Sequence, residues 1–171
     1  KDKTLAQLRK DGFSAVVVAT GLASSRSLPI PNADHEDVHL VLDFLQAISA
    51  ENAPNIGDSV LIIGGGNVAM DAARSAVRLG ASTVRAMCLE NEEEMPAWDW
   101  EQHEALDEGV EFLHRRGPVE IVVQGEKIVG IKARKVTRVF DDDKRFAPEY
   151  DDSDVIDIDC DTVVFAIGQM P

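Results

Sequence analysis

The chain has 171 residues, 31 acidic and 17 basic, for a formal net charge of −14. A surface of that sign repels phosphate backbones and anionic lipid, which argues against nucleic-acid or membrane-surface binding. No apolar run reaches the roughly 18 residues of a membrane span. The two cysteines, Cys88 and Cys160, lie outside any CxxC spacing, which argues against a disulfide framework, a zinc site or an iron–sulfur cluster in this segment. Two thiols inside apolar runs, with no signal peptide at the start, give a cytoplasmic expectation.

Residues 4–10 are expected to be helical. Ala15 to Ala19 is a short run rich in β-branched residues and is expected to be a buried strand. Residues 22–37 hold Ser, Pro and Asn without periodicity and form a connection. Val38 to Ala50 carries one apolar face at helical spacing. Ser59 to Ile63 is a charge-free run, as in strands buried on both faces of a parallel sheet. Residues 67–79 are expected to form an Ala-rich helix, capped by Gly80, and Thr83 to Leu89 a second strand. This strand–helix–strand unit closes right-handed.

A helix is expected from Asp99 to Glu108 and a strand from Val110 to Leu113. Ile121–Val123, Ile128–Ile131 and Val136–Phe140 are short apolar runs separated by turn residues, the pattern of an antiparallel meander. A polar loop is expected up to Ser153, a strand around Val155–Ile158, and a buried strand over Thr162–Ile167. The fold class that follows is α/β: a Rossmann-like parallel sheet with an antiparallel β-meander.

The chemistry concentrates at Gly64-Gly65-Gly66-Asn67-Val68-Ala69. In a Gly-x-Gly-x-x-Ala turn the first glycine permits the bend from strand to helix. The second lets a pyrophosphate approach the backbone, and the alanine lets the helix pack closely. The helix N-terminus adds unpaired N–H groups and partial positive charge.

Glu90 ends the second strand at about the separation expected of a ribose-binding carboxylate. Residues 89–95 hold four carboxylates and no base. That favours NAD(H) over NADP(H), whose 2′-phosphate calls for a nearby arginine.

Four ordered segments carry a family likeness: Ile62 to Arg74, Glu94-Met95-Pro96-Ala97, Glu108 to Phe112, and Ala166-Ile167-Gly168-Gln169-x-Pro171. The chain resembles the small (β) subunit of glutamate synthase and its FAD/NAD(P)-dependent relatives, including the flavin region of dihydropyrimidine dehydrogenase. The resemblance implies an NAD(P)H-binding domain inserted into an FAD-binding domain. Residues 1–36 would be a crossing segment, 37–160 the NAD(H)-binding domain, and 161–171 the return crossing. It implies a pyrophosphate loop at Gly64, Gly65, Gly66, Asn67 and Val68, and a nicotinamide-lining segment at Ala166, Ile167 and Gly168. Where many relatives carry bases for NADPH, this chain has Cys88-Leu89-Glu90.

Lys1-Asp2-Lys3 and the missing FAD fingerprint suggest an excised piece, with FAD bound only in the intact protein. By the same resemblance, hydride would pass between NADH and FAD, then to iron–sulfur clusters or a large subunit. No side chain is expected to act as acid or base, and no metal ligands are expected. The alternative is a non-catalytic nucleotide-sensing or interaction domain.

Some single residues have simpler readings. Trp98 and Trp100 are expected to pack against the FAD domain or another subunit, with a lid over the nucleotide as the alternative. Asp71 and Arg74 have ion-pair spacing on one helix. Cys88 is expected to be a packing residue, and His35 and His39 surface histidines.

Overall fold

The structure is a computed structural model that describes residues 3–170. In chain order its elements are α1 (Leu5–Lys10), β1 (Ser24–Ser25), β2 (Val38–Leu40), α2 (Val41–Ser49), β3 (Ser59–Ile63), α3 (Asn67–Arg78) and β4 (Thr83–Met87). There follow α4 (Asp99–Asp107), β5 (Glu111–Leu113), β6 (Arg116–Gln124), β7 (Lys127–Phe140), β8 (Phe146–Ile158), β9 (Thr162–Phe165) and β10 (Gln169–Met170).

The uncharged β3 lies at the centre of a five-stranded sheet of order β2-β9-β3-β4-β5, with every pairing parallel. Its alternate residues serve two cores, as a period of two requires. Val60 and Ile62 join the core under the helices, together with Val84, Ala86 and Val164. Leu61 and Ile63 face the other way, with Met87, Val163 and Phe165. The helix side is closed by α2, α3 and α4. Ala69, Ala72, Ala73 and Ala76 of α3 are fully buried, and their small side chains allow helix and sheet to approach closely.

The opposite face is covered by the antiparallel sheet β6-β7-β8, through Ile121, Ile128, Ile131 and Ala133. The mixed α/β fold is the expected one: helices on one face, a meander on the other.

Several elements differ from the sequence reading. Ala15 to Ala19 forms no strand, and Val17 and Val18 are 87% and 76% exposed. No described strand pairs with that run, so its β-branched residues remain in solvent. Residues 38–40 are strand rather than the first turn of a helix, because they pair in register with Val163–Phe165 of β9. The two apolar runs at 128–131 and 136–140 belong to one 14-residue strand, β7.

The expected polar loop before Ser153 is largely β8, whose side chains are mostly exposed. Pairing to β7 and cross-strand charge hold it: Arg134 meets Asp152 at 2.7 Å and lies 3.7 Å over the Tyr150 ring. The buried strand expected over Thr162–Ile167 is present as β9, paired on both sides inside the main sheet. Beyond it, β10 pairs antiparallel with β1.

Candidate dinucleotide-binding site

In a parallel sheet the loops at the carboxyl ends gather where the strand order reverses. Here that place lies between β9 and β3, because the chain runs from β3 through α3 to β4 on one side and returns as β9 on the other. Gly64–Gly66 leaves β3 there, facing Ala166 at the end of β9. Gly64 N–H donates to Met87 O at 2.8 Å, and Ala166 N–H donates to Ile63 O at 2.8 Å, so both turns are pinned to neighbouring strands.

The three glycines differ in what surrounds them. Gly64 has φ +145°, and a Cβ there would stand 2.3 Å from Ala166 O. A Cβ on Gly65 would meet the Cys88 Cβ at 3.0 Å and the Glu90 Oε2 at 3.3 Å. Around Gly66 nothing lies within 4 Å of the Cβ position. Gly66 caps α3 with extended backbone and no side-chain hydrogen bond.

Among the described residues, no protein group accepts from the N–H groups of Gly65, Gly66, Asn67 or Val68. A helix that leaves its first donors unpaired beside open space is suited to an anion. The residues present therefore fit a diphosphate.

Two cavities flank this loop. The first, about 300 Å³, is lined by Gly64–Gly66, Glu90, Arg116, Phe146 and the Ala166–Gly168 turn, among others. The second, about 350 Å³, lies on the other side and is lined by Leu22, Val41, Asn67, Val68 and Gln169. Gly66, Pro96, Ala166 and Gly168 border both. The structure thus gathers Gly64–Val68, Glu90 and the return segment around two adjoining cavities.

Glu90 lies three residues beyond the end of β4 and is half-buried. Burial holds its carboxyl above the ordinary carboxylate range; the nearby Glu94 pushes the same way, and Arg115 opposes. Cys88, directly beneath, has its thiol pushed up to about 12, mainly by burial. It is a packing residue within the helix-side core.

Two further features complete the surroundings of the loop. The first is a strap. Ala97 N–H donates to Gly65 O at 3.0 Å, and Trp98 N–H donates to Asn67 Oδ1 at 2.8 Å. This brings Met95–Trp98 across the glycine loop and sets Pro96 between the two cavities. Trp98 and Trp100 themselves are 64% and 57% exposed.

The second is a pair of bases. The tight turn after β5 brings Arg115 and Arg116 to the carboxyl end of β4, where their N–H groups donate to Glu90 O and Cys88 O, each at 3.0 Å. The residues following β4 contain no base, but the fold supplies two from 25 residues further on, the separation of Glu90 and Arg115.

Other residues take structural parts. Arg74 does not pair with Asp71, which is exposed. It bridges α3 to α4 through Glu104 at 2.5 Å and Glu108 at 2.7 Å. His39 is half-buried in β2, with its ring 6.0 Å from that of Phe44, and burial lowers its pKa. No described helix is long and apolar enough to cross a membrane.

Comparison with known proteins agrees with this geometry. The chain is 40% identical over 126 residues to the NAD-dependent dihydropyrimidine dehydrogenase subunit PreT of Escherichia coli, covering 73% of this chain and 29% of the relative. It is 32% identical over 183 residues to the small chain of glutamate synthase [NADPH] from Halomonas elongata, covering all of this chain and 38% of the relative. It spans between 16% and 38% of the length of the curated relatives it matches. Among solved structures, Mycobacterium tuberculosis FprA in complex with NADPH superposes with a TM-score of 0.74 at 18% identity, over 95% of this chain and 51% of that one, a likeness of fold. The model of the pyridine nucleotide-disulphide oxidoreductase family matches residues 1–171. The chain therefore belongs to the pyridine nucleotide-disulphide oxidoreductases, and its relatives include the glutamate synthase small subunit.

Proposed function

We propose that this domain binds NAD(H) and orients its nicotinamide toward a flavin held by another domain of the full-length protein. The observation that carries the reading is the unpaired rim of α3. Gly65 and the open side of Gly66 share a cavity border with Glu90, and Asn67 and Val68 line the adjoining cavity, which Gly66 also borders. The diphosphate would rest on the N–H groups of Gly65–Val68. Glu90 would accept hydrogen bonds from the adenosine ribose and disfavour a 2′-phosphate by charge. Ala166–Gly168 would line the opposite end.

The nicotinamide supplies hydride chemistry when bound; the chain's own part is placement and electrostatics. No side chain in either cavity is needed as a general acid or base. Residues 1–36 and 161–171 would be the two crossings to an FAD domain. The β1–β10 pairing, which joins the two segments, supports this. The exposed Phe13 and Val16–Val18, with Trp98 and Trp100, offer that domain an apolar surface. Iron–sulfur clusters or a large subunit would then take the electrons onward.

The test is NADH titration of the full-length protein, followed by anaerobic NADH addition. Binding with bleaching of flavin absorbance supports the reading. Binding without bleaching favours a nucleotide-sensing domain, and silence toward every pyridine nucleotide defeats both.

A further inference from the structure

The end of β4 holds three charges in one neighbourhood: Glu90, Glu94 and Arg115. Arg115 has left-handed backbone (φ +56°). Its N–H donates to Glu90 O, and its carbonyl accepts from Val136 N–H at 2.9 Å, so the residue is fastened on both sides. Its guanidinium reaches back over the acidic turn, where Nη2 lies 2.9 Å from Glu94 Oε2. Nη1 of the same group is shielded from solvent and has no hydrogen-bond partner among the described residues.

Glu94 is held as firmly. Its Oε2 also accepts from Asn91 N–H at 3.3 Å, while its own N–H donates to Asn91 Oδ1 at 2.9 Å. Arg116, the other base the fold brings here, is likewise paired, with Asp154 at 2.8 Å.

The arrangement is a cation kept occupied beside a ribose-binding carboxylate. A guanidinium matches phosphate geometry with parallel donors, so a 2′-phosphate on the adenosine ribose would be drawn to Arg115 if it were free. We propose that Glu94 is a specificity-determining residue. By pairing with Arg115 it withholds the base a 2′-phosphate would recruit, and so holds the site to a dinucleotide with a free 2′-hydroxyl. This deepens the proposed function and rests on it. The selectivity then has two parts: Glu90 repels the phosphate, and Glu94 masks the base that would attract it.

Removing the Glu94 charge should open the site to phosphate without touching the glycine loop. Glu94 is at the surface, so Glu94→Gln is a mild change to the fold. The experiment compares full-length wild type, Glu94→Gln, and Glu94→Gln with Arg115→Gln. Melting temperature is recorded for each, and NADH and NADPH affinities are measured by fluorescence titration. Competition by ADP and by 2′,5′-ADP isolates the ribose end. The expected result is that Glu94→Gln improves the NADPH to NADH affinity ratio about tenfold, a change of about 1.4 kcal/mol. The same gain should appear for 2′,5′-ADP over ADP, and the second substitution should abolish it. An unchanged ratio in Glu94→Gln, a gain that survives loss of Arg115, or a wild type that prefers NADPH would overturn the proposal. A wild type that binds no dinucleotide would instead defeat the site assignment beneath it.

Discussion

A Cβ placed on Gly64 would stand 2.3 Å from the carbonyl oxygen of Ala166. This relationship ties the glycine loop to the return strand: backbone meets backbone, and neither side can yield as a flexible side chain would. Gly64→Ala should destabilise the fold by about 3 kcal/mol or more, from the clash together with a φ of +145° that Ala rarely adopts. Thermal or urea unfolding measures the loss. A variant with wild-type stability would show that the two turns are further apart than described.

The strap at Met95–Trp98 depends on the Asn67 side chain, which accepts from Trp98 N–H at 2.8 Å. Asn67→Ala should free that amide, costing about 1 kcal/mol. Hydrogen exchange over residues 95–100 should speed up while the β3 and β4 amides stay protected. Unaltered exchange in the strap would mean that Ala97 N–H to Gly65 O holds it alone.

Glu90 gives a pH dependence whose sign follows from its environment. Burial raises its pKa above the ordinary carboxylate value, so it takes up a proton at a higher pH than an exposed glutamate would. As pH falls through that raised value the carboxylate is neutralised, and a hydrogen bond to a charged group becomes one to a neutral group. NADH affinity should therefore weaken up to about tenfold on acidification, and discrimination against NADPH should fall with it. In Glu90→Gln both trends should flatten. The same slope in wild type and variant would remove Glu90 from the ribose site.

The two cysteines should be inert. Both thiols are buried and pushed up to about 12, so the thiolate is scarce at neutral pH. Titration with a disulfide reagent near pH 8 should find Cys88 and Cys160 unreactive until denaturant is added. Rapid labelling of either in the native protein would contradict the described burial.

How legible this was depends on where each element gets its stability. β3, α3 and β9 draw theirs from their own apolar pattern, and their bounds match the sequence reading to within two residues or fewer. β8 does not: it is polar and exposed, and exists because β7 offers it a partner, a dependence no local pattern records. The run at Ala15–Ala19 is the converse case, with strand composition but no paired strand among the described residues. At the site, the glycine loop and Glu90 were readable because motif spacing follows the βαβ unit. Arg115 and Arg116 were not, because the turn after β5 reaches the site only through the sheet's three-dimensional order; the strap was legible only as the alternative of a lid at Trp98.

In the proposed binding mode a dinucleotide diphosphate rests on the loop at Gly66. Nothing lies within 4 Å of a Cβ there, and its φ of −93° suits alanine, so Gly66→Ala should keep stability within about 1 kcal/mol. The added methyl would instead occupy the space a diphosphate approaches. Calorimetric titration of full-length wild type and Gly66→Ala with NADH is the most direct test. Affinity should fall at least about tenfold at nearly unchanged melting temperature. Equal NADH affinity in the two proteins would contradict this binding mode.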